Sequence, residues 1–227
     1  MGKLLIIAAY AVYAAFWIRF TMHAVVWWRA TRRLASVLPS PRVTKKACAL
    51  TALDIIFFGR LLKVNAALWL GEWVFHGAFL LVLLRHLRFF LNPVPDWVWA
   101  LQMPGLIAGY ILPFALIYIL VVRLLTKHER YASPANMFLL ALVLVIGSIG
   151  LVMNLWFKPN LVDVKLFALG LACFKPVAAP DSLLFALHFG LVLVLIAFLP
   201  THIFTAPLVM LEARKREQAL HLVMHEK

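Results

Sequence analysis

Five long apolar segments dominate the sequence, and each is long enough to cross a lipid bilayer. A membrane-spanning helix needs about 20 mostly apolar residues. Apolar residues make up 65% of the 227-residue chain, whereas a soluble domain is nearer half apolar. We therefore predict an all-α integral membrane protein, a bundle of five transmembrane helices in a single domain over residues 1–227. The five predicted spans are about 4–28, 65–90, 98–125, 135–157 and 183–211.

Two connections between these segments are themselves rich in apolar residues. Residues 44–63 mix five charged residues with apolar ones, which predicts an amphipathic helix at the membrane surface. Residues 161–174 are apolar but too short to span a bilayer, so we expect them to lie at the interface as well. A sixth span at 161–174 is the alternative.

Positive charge is concentrated in three connections. The chain carries 22 Lys and Arg against 9 Asp and Glu, and residues 29–64, 123–130 and 212–227 hold eight, three and four of the cations. With five spans these regions share one side, and Lys and Arg favour cytoplasmic loops. We predict a multi-pass protein of the cytoplasmic (inner) membrane, with its N-terminus outside and its C-terminus in the cytoplasm. The basic side should bind anionic lipid and a partner subunit; nucleic acid is excluded as a partner, because such binders are not this apolar.

Four histidines stand at matched depths in the second and fifth segments. His76 and His86 are ten residues apart, about 15 Å along a helix, and His188 and His202 are fourteen apart, about 21 Å. The two segments cross the membrane in opposite directions. His76 therefore matches His202 on the inner side, and His86 matches His188 on the outer side.

This arrangement suits haem, because its iron takes two axial ligands and imidazole is a common one. We predict two haems, with the four histidines as the metal ligands; packing roles for these histidines and a two-histidine metal site are the alternatives. Arg85 and Arg88, beside His86, are expected to pair with haem propionates. Arg19, in the first span, is either a snorkelling residue or another partner for a propionate. Glu72 either accepts a proton near a quinone or pairs with an Arg or Lys.

The cysteine content limits the other redox groups that the chain can hold. Cys48 and Cys173 are far apart, and no C-x-x-C motif is present. Four-cysteine iron–sulfur sites are therefore absent, and any such cluster must belong to a partner. The rival interpretations are a transporter and a plain membrane anchor, both without haem. A transporter should show internal repeats, and an anchor has no need of four histidines at two depths.

Several short motifs resemble one family of membrane cytochromes. The motifs are Trp17-Ile18-Arg19-Phe20, Phe75-His76-Gly77 with His86 ten residues later, Arg85-His86-Leu87-Arg88 with Asn92-Pro93-Val94-Pro95, and Pro200-Thr201-His202. Together they resemble the gamma subunit of respiratory nitrate reductase and its relatives. The closest likeness is to the cytochrome b of the dissimilatory sulfite reductase-associated, heterodisulfide reductase-like membrane complex. Gln102 and Met103 lie where the nitrate reductase subunit has a lysine near its quinone.

This resemblance implies an electron-transfer subunit of an anaerobic respiratory complex. Such a subunit holds two b-type haems, with the ligand pairs His76–His202 and His86–His188. It oxidises menaquinol or ubiquinol from the quinone pool near the outer haem. It passes electrons to a cytoplasmic iron–sulfur reductase subunit, so the substrate-reducing site lies on another subunit. Further membrane or periplasmic cytochrome subunits are additional expected partners.

Overall fold

The computed structural model of the chain describes residues 2–35, 45–126 and 134–201, and these residues form helices and no strand. Five of the helices are long and apolar enough to cross a membrane: Gly2–Ala30, Ala66–Phe89, Gln102–Leu125, Pro134–Leu155 and Leu183–Thr201. The predicted all-α fold with five spans is confirmed, and the chain is a multi-pass membrane protein. Residues 202–211 of the predicted fifth span lie outside the described residues. The orientation of the termini stays a prediction.

The helices follow one another with short connections. Over the described residues they are α1 (Gly2–Ala35), α2 (Lys45–Phe57), α3 (Gly59–Val64), α4 (Ala66–His86), α5 (Asp96–Ala100), α6 (Gln102–Leu125), α7 (Pro134–Leu155), α8 (Leu161–Ala172) and α9 (Leu183–Thr201). A 3-10 turn, Leu87–Phe89, continues α4. The third span was predicted from residue 98, but α5 ends at Ala100 and α6 begins at Gln102.

The described part of this connection, residues 45–63, is helical, but one part of its prediction is wrong. It forms two helices, α2 and α3, with a break at Phe58, whose φ of 51° does not fit an α-helix. The polar residues of α2 are spread around its axis instead of gathered on one face. The helix α2 is therefore not an amphipathic helix of the kind predicted. Its position at the membrane surface stays a prediction.

The described residues divide into two compact units. One unit comprises those within 1–12 and 65–195, and the other those within 13–64 and 196–227. The prediction of one domain over the whole chain stays a prediction.

In the first unit, α4 and α6 pack closely because small residues stand at their contacts. A Cβ added at Gly71 of α4 would lie 2.8 Å from side-chain atoms of Tyr118 and Ile119. A Cβ added at Gly105 of α6 would lie 2.7 Å from Cβ of Arg85. Small residues let two membrane helices approach in this way. The approach brings the polar residues of α4 within reach of α6 at two levels.

A second contact region of this unit is built from aromatic side chains of α8 and α9. Phe167 and Phe185 are buried with Val164, and Phe89 and Phe189 pack against them. The Asn160 side chain caps the first turn of α8. At 12 residues α8 is too short to span a bilayer, so the alternative of a sixth span there is wrong. Its position at the interface stays a prediction.

Candidate functional site

His86 stands at the end of α4, and its ring is fixed by the helix itself. Its Nδ1 donates a hydrogen bond to the carbonyl oxygen of Val82 at 2.7 Å. A carbonyl can only accept, so Nδ1 carries the proton and Nε2 is left as the nitrogen with a lone pair. The ring of Phe89 lies 6.0 Å from the imidazole, between centroids. This is the geometry of an imidazole held ready to bind a metal through Nε2.

His188 stands on α9, and α7 fixes its ring. Its Nδ1 donates to the carbonyl oxygen of Ile146 at 3.1 Å, which again leaves Nε2 as the nitrogen with a lone pair. A Cβ added at Gly150 of α7 would lie 3.2 Å from Cε1 of His188. The imidazole therefore rests against the α7 backbone at a position where a side chain would crowd it. The sequence interpretation missed the role of Gly150.

His86 and His188 lie next to one aromatic cluster of the first unit, and their pairing at one haem stays a prediction. Their neighbours Phe89 and Phe189 pack against the same aromatic cluster of α8 and α9. One packed region thus places the two imidazoles at the same end of the unit.

His76 lies ten residues earlier on α4, and Glu72 contacts its ring twice. Nδ1 of His76 donates to the carbonyl oxygen of Glu72 at 2.7 Å, and Oε2 of the Glu72 side chain lies 3.6 Å from the same nitrogen. This hydrogen bond again leaves Nε2 as the nitrogen with a lone pair. His202, its predicted partner, lies outside the described residues, so the pairing of His76 with His202 stays a prediction.

Glu72 also forms an ion pair between α4 and α6. Its Oε1 accepts a hydrogen bond from the Arg123 guanidinium at 2.6 Å. The two side chains are only 13% and 15% exposed, so the pair is largely buried. The interpretation of Glu72 as the partner of an Arg or Lys is confirmed. We call Glu72, Arg123 and His76 the balanced end of the α4–α6 pair.

At the other end of this helix pair, two cations share one neutral acceptor. Arg85 donates to Oε1 of Gln102 at 3.5 Å, and Arg88 donates to the same oxygen at 2.8 Å. The Arg88 guanidinium also lies 4.6 Å from the centroid of the Phe89 ring. Its Nε is buried and has no hydrogen-bond acceptor within the described part of the chain, which is also true of Nε of Arg123. We call Arg85, Arg88 and Gln102 the arginine end; the sequence interpretation did not identify Gln102 as the shared acceptor.

Arg19 belongs to the second unit and contacts α9. Its guanidinium donates to the carbonyl oxygen of Ala197 at 3.1 Å and to Oγ1 of Thr201 at 3.5 Å, and the side chain is exposed. These contacts tie α1 to α9 within that unit. They do not decide between the two predicted roles of Arg19, which both stay open.

The donor set fits haem iron better than a bare metal ion. Within residues 2–35, 45–126 and 134–201, no three His, Cys, Asp or Glu side chains come together as a metal site. Haem needs only two axial ligands, because the macrocycle supplies the others. His86 and His188 both have Nδ1 engaged by a carbonyl, which is how metal-binding histidines are usually oriented. The residues present therefore fit the predicted cofactor at this end.

Comparisons with known proteins agree with one branch of the predicted resemblance. No family model matches the chain, and no solved structure matches it. A curated protein of Archaeoglobus profundus, named Hdr-like menaquinol oxidoreductase cytochrome b-like subunit, is 37% identical over 150 residues, which are 59% of this chain and 44% of that protein. A protein of the same name from Archaeoglobus fulgidus is 34% identical over 176 residues, which are 65% of this chain and 53% of that protein.

The extent of the match limits what it shows. This chain spans about half the length of the curated relatives it matches. Membership in the nitrate reductase gamma-subunit family is not shown by these matches. Over the matched residues, the chain is a relative of the Hdr-like menaquinol oxidoreductase cytochrome b-like subunits.

Proposed function

We propose that the chain is a dihaem cytochrome b subunit that oxidises membrane quinol and delivers the electrons to an iron–sulfur partner. The observation that carries this proposal is that His86 and His188 both have Nδ1 bonded to a carbonyl oxygen, beside one aromatic cluster that holds Phe89 and Phe189. The names of the relatives, which include cytochrome b-like and menaquinol oxidoreductase, support the same assignment.

In this proposal each pair of histidines holds one haem. His86 and His188 are the ligands at the arginine end, and His76 and His202 are the ligands at the balanced end. Haem, when bound, supplies one-electron exchange. The carbonyls of Val82 and Ile146 keep the two imidazoles of the first pair in one tautomer and one orientation. A fixed ligand geometry reduces the rearrangement that accompanies a change in iron charge.

The arginine end is suited to the propionates of the haem beside it. Arg85 and Arg88 together present many N–H donors, but they share one neutral amide oxygen. Guanidinium groups bind carboxylates through paired, charge-assisted hydrogen bonds. Two carboxylates here would neutralise two cations that lie within a membrane span, where an isolated charge is costly.

The proposed direction of electron flow follows from the predicted topology. Quinol, menaquinol or ubiquinol, is oxidised near the His86 end, which we place on the outer side. The electrons pass to the His76 end and then to a cytoplasmic iron–sulfur subunit. The basic connections face that partner and attract its acidic surface and anionic lipid. The substrate-reducing site belongs to the partner, and further cytochrome subunits complete the complex.

Spectroscopy of the purified chain tests this proposal. A reduced-minus-oxidised difference spectrum and haem extraction should give about two b-type haems per chain. His86→Ala and His188→Ala should each remove the same haem, and His76→Ala should remove the other. His23→Ala, which changes a histidine of α1, is the matched control and should retain both. A chain without haem would instead be a membrane anchor or a transporter, and the proposal would fail.

A further inference from the structure

The balanced end contains an ion pair that the proposed electron transfer does not yet explain. Glu72 and Arg123 come from different membrane spans, lie 2.6 Å apart and are 13% and 15% exposed. Taking both charges out of water is costly, and a buried ion pair is often no more stable than apolar residues of similar size. Charged residues within a membrane span usually have a functional role. The contacts of Glu72 indicate what that role is.

Glu72 connects Arg123 to the His76 imidazole. Oε1 of Glu72 accepts from Arg123, which leaves Oε2 oriented toward Nδ1 of His76 at 3.6 Å. The backbone carbonyl of Glu72 accepts from the same Nδ1 at 2.7 Å. One residue therefore places both a carbonyl and a carboxylate at the nitrogen opposite the ligand atom. Arg123, from α6, fixes the direction of that carboxylate.

We infer that Glu72 and Arg123 are positioning residues for His76, and that their charges set the reduction potential of the haem it holds. This inference rests on the proposed function. A carboxylate beside the N–H of a metal-binding imidazole orients the ring and makes it a stronger donor. A stronger donor stabilises the oxidised iron, which carries the higher charge. Arg123 opposes this effect, because it withdraws part of the negative charge of Glu72.

The other end of α4 provides an internal comparison. Nδ1 of His86 donates to the Val82 carbonyl, and the charged residues that flank His86 in the chain are Arg85 and Arg88. The effect of Glu72 should therefore be confined to the haem of His76. A change that merely loosens the α4–α6 contact would disturb both ends, since the two helices pack along their length at Gly71 and Gly105.

A redox titration that follows the haem absorption bands tests this inference. The two reduction steps are first assigned with His76→Ala and His86→Ala. Glu72→Gln should then raise the midpoint potential of the His76 step alone. We expect about a tenfold change in the ratio of oxidised to reduced haem at fixed ambient potential, which is about 59 mV for a one-electron couple. Adding Arg123→Gln to Glu72→Gln should move the potential part of the way back, because it removes the opposing charge.

Further variants keep the test decisive. Asp163→Asn removes a carboxylate from the exposed first turn of α8 and should leave both potentials unchanged. If Glu72→Gln does not accumulate, the double variant with Arg123→Gln is measured instead. It leaves no buried charge without a partner, and it should raise the midpoint potential of the His76 step by a smaller amount. Unchanged potentials, or equal shifts of both steps, would overturn the inference. A chain with no b haem would overturn the proposed function as well, so the two failures are distinguishable.

Discussion

The α4–α6 pair is joined by polar side chains at two levels, and the charges are balanced at only one of them. At the balanced end, a carboxylate of α4 meets a guanidinium of α6 at 2.6 Å. At the arginine end, two guanidiniums converge on one neutral amide oxygen, at 3.5 and 2.8 Å. Sixteen residues separate Glu72 from Arg88, which is about 24 Å along a helix.

The difference indicates that the two ends have different tasks. A balanced pair satisfies its own charges, so it can act on a neighbouring ligand without attracting another ion. Two cations with one neutral acceptor remain able to bind an anionic group, which is favourable within a membrane span. The balanced end is therefore suited to tuning His76, and the arginine end to holding the carboxylates of a cofactor.

Breaking the balanced end should have the largest effect on stability. Glu72→Leu leaves the Arg123 guanidinium buried without its carboxylate, which should lower the free energy of unfolding by about 3–5 kcal/mol. The double variant with Arg123→Leu leaves no charge without a partner and should recover most of that loss. Unfolding of the purified protein in detergent, by heat or denaturant, measures both. Equal losses in the single and double variants would show that the ion pair is not the source of the effect.

The arginine end should tolerate the loss of one cation better. Arg88→Met removes a hydrogen bond to Gln102 but leaves no opposite charge without a partner. We therefore expect the free energy of unfolding to fall by about 1–2 kcal/mol. Arg123→Met is the matched replacement at the balanced end and should cost more, because it leaves Glu72 unpaired. The same unfolding measurement compares the two. A loss for Arg88→Met as large as that for Arg123→Met would contradict the assignment of unequal charge balance.

The smallest effect is expected where α7 supports His188. A methyl group at Gly150 would lie 3.2 Å from Cε1 of the imidazole, so Gly150→Ala should displace the ring and cost about 1 kcal/mol. Gly147→Ala is the control on the same helix, because its methyl group would meet Leu112 at the same 3.2 Å. Only Gly150→Ala should alter the absorption spectrum of the haem assigned to His86. Similar spectra for the two variants would argue against His188 as a ligand.

The spans were predictable because the membrane restricts both length and composition. The predicted second span, 65–90, agrees closely with the observed Ala66–Phe89. The details between spans were harder to predict. A positive φ at Phe58 has no sequence signal, since bulky residues rarely adopt it, and the polar residues of α2 suggested a face that the helix does not have.

The candidate site was predictable only as far as the position of a residue along its own helix determines it. Depth along two antiparallel helices predicted one level for His86 and His188, and their neighbours Phe89 and Phe189 do pack in one cluster. The partner of Glu72 was predicted by type but not by position, because Arg123 is 51 residues away on another helix. The roles of Gln102 and Gly150 depend on how neighbouring helices pack. The periodicity of a single segment carries no information about such contacts.

The contact between Tyr10 and α8 has a consequence for how the protein is made. The Tyr10 hydroxyl donates to the carbonyl oxygen of Leu171 at 3.3 Å, and its ring stacks on Phe174 at 5.6 Å between centroids. At a synthesis rate of about 5–20 residues per second, the 161 residues between Tyr10 and Leu171 take roughly 8–32 s to emerge. During that interval the first helix must reside in the bilayer without this partner. None of the most apolar stretch of this helix is buried by protein, so that stretch is compatible with a surrounding of lipid during this interval.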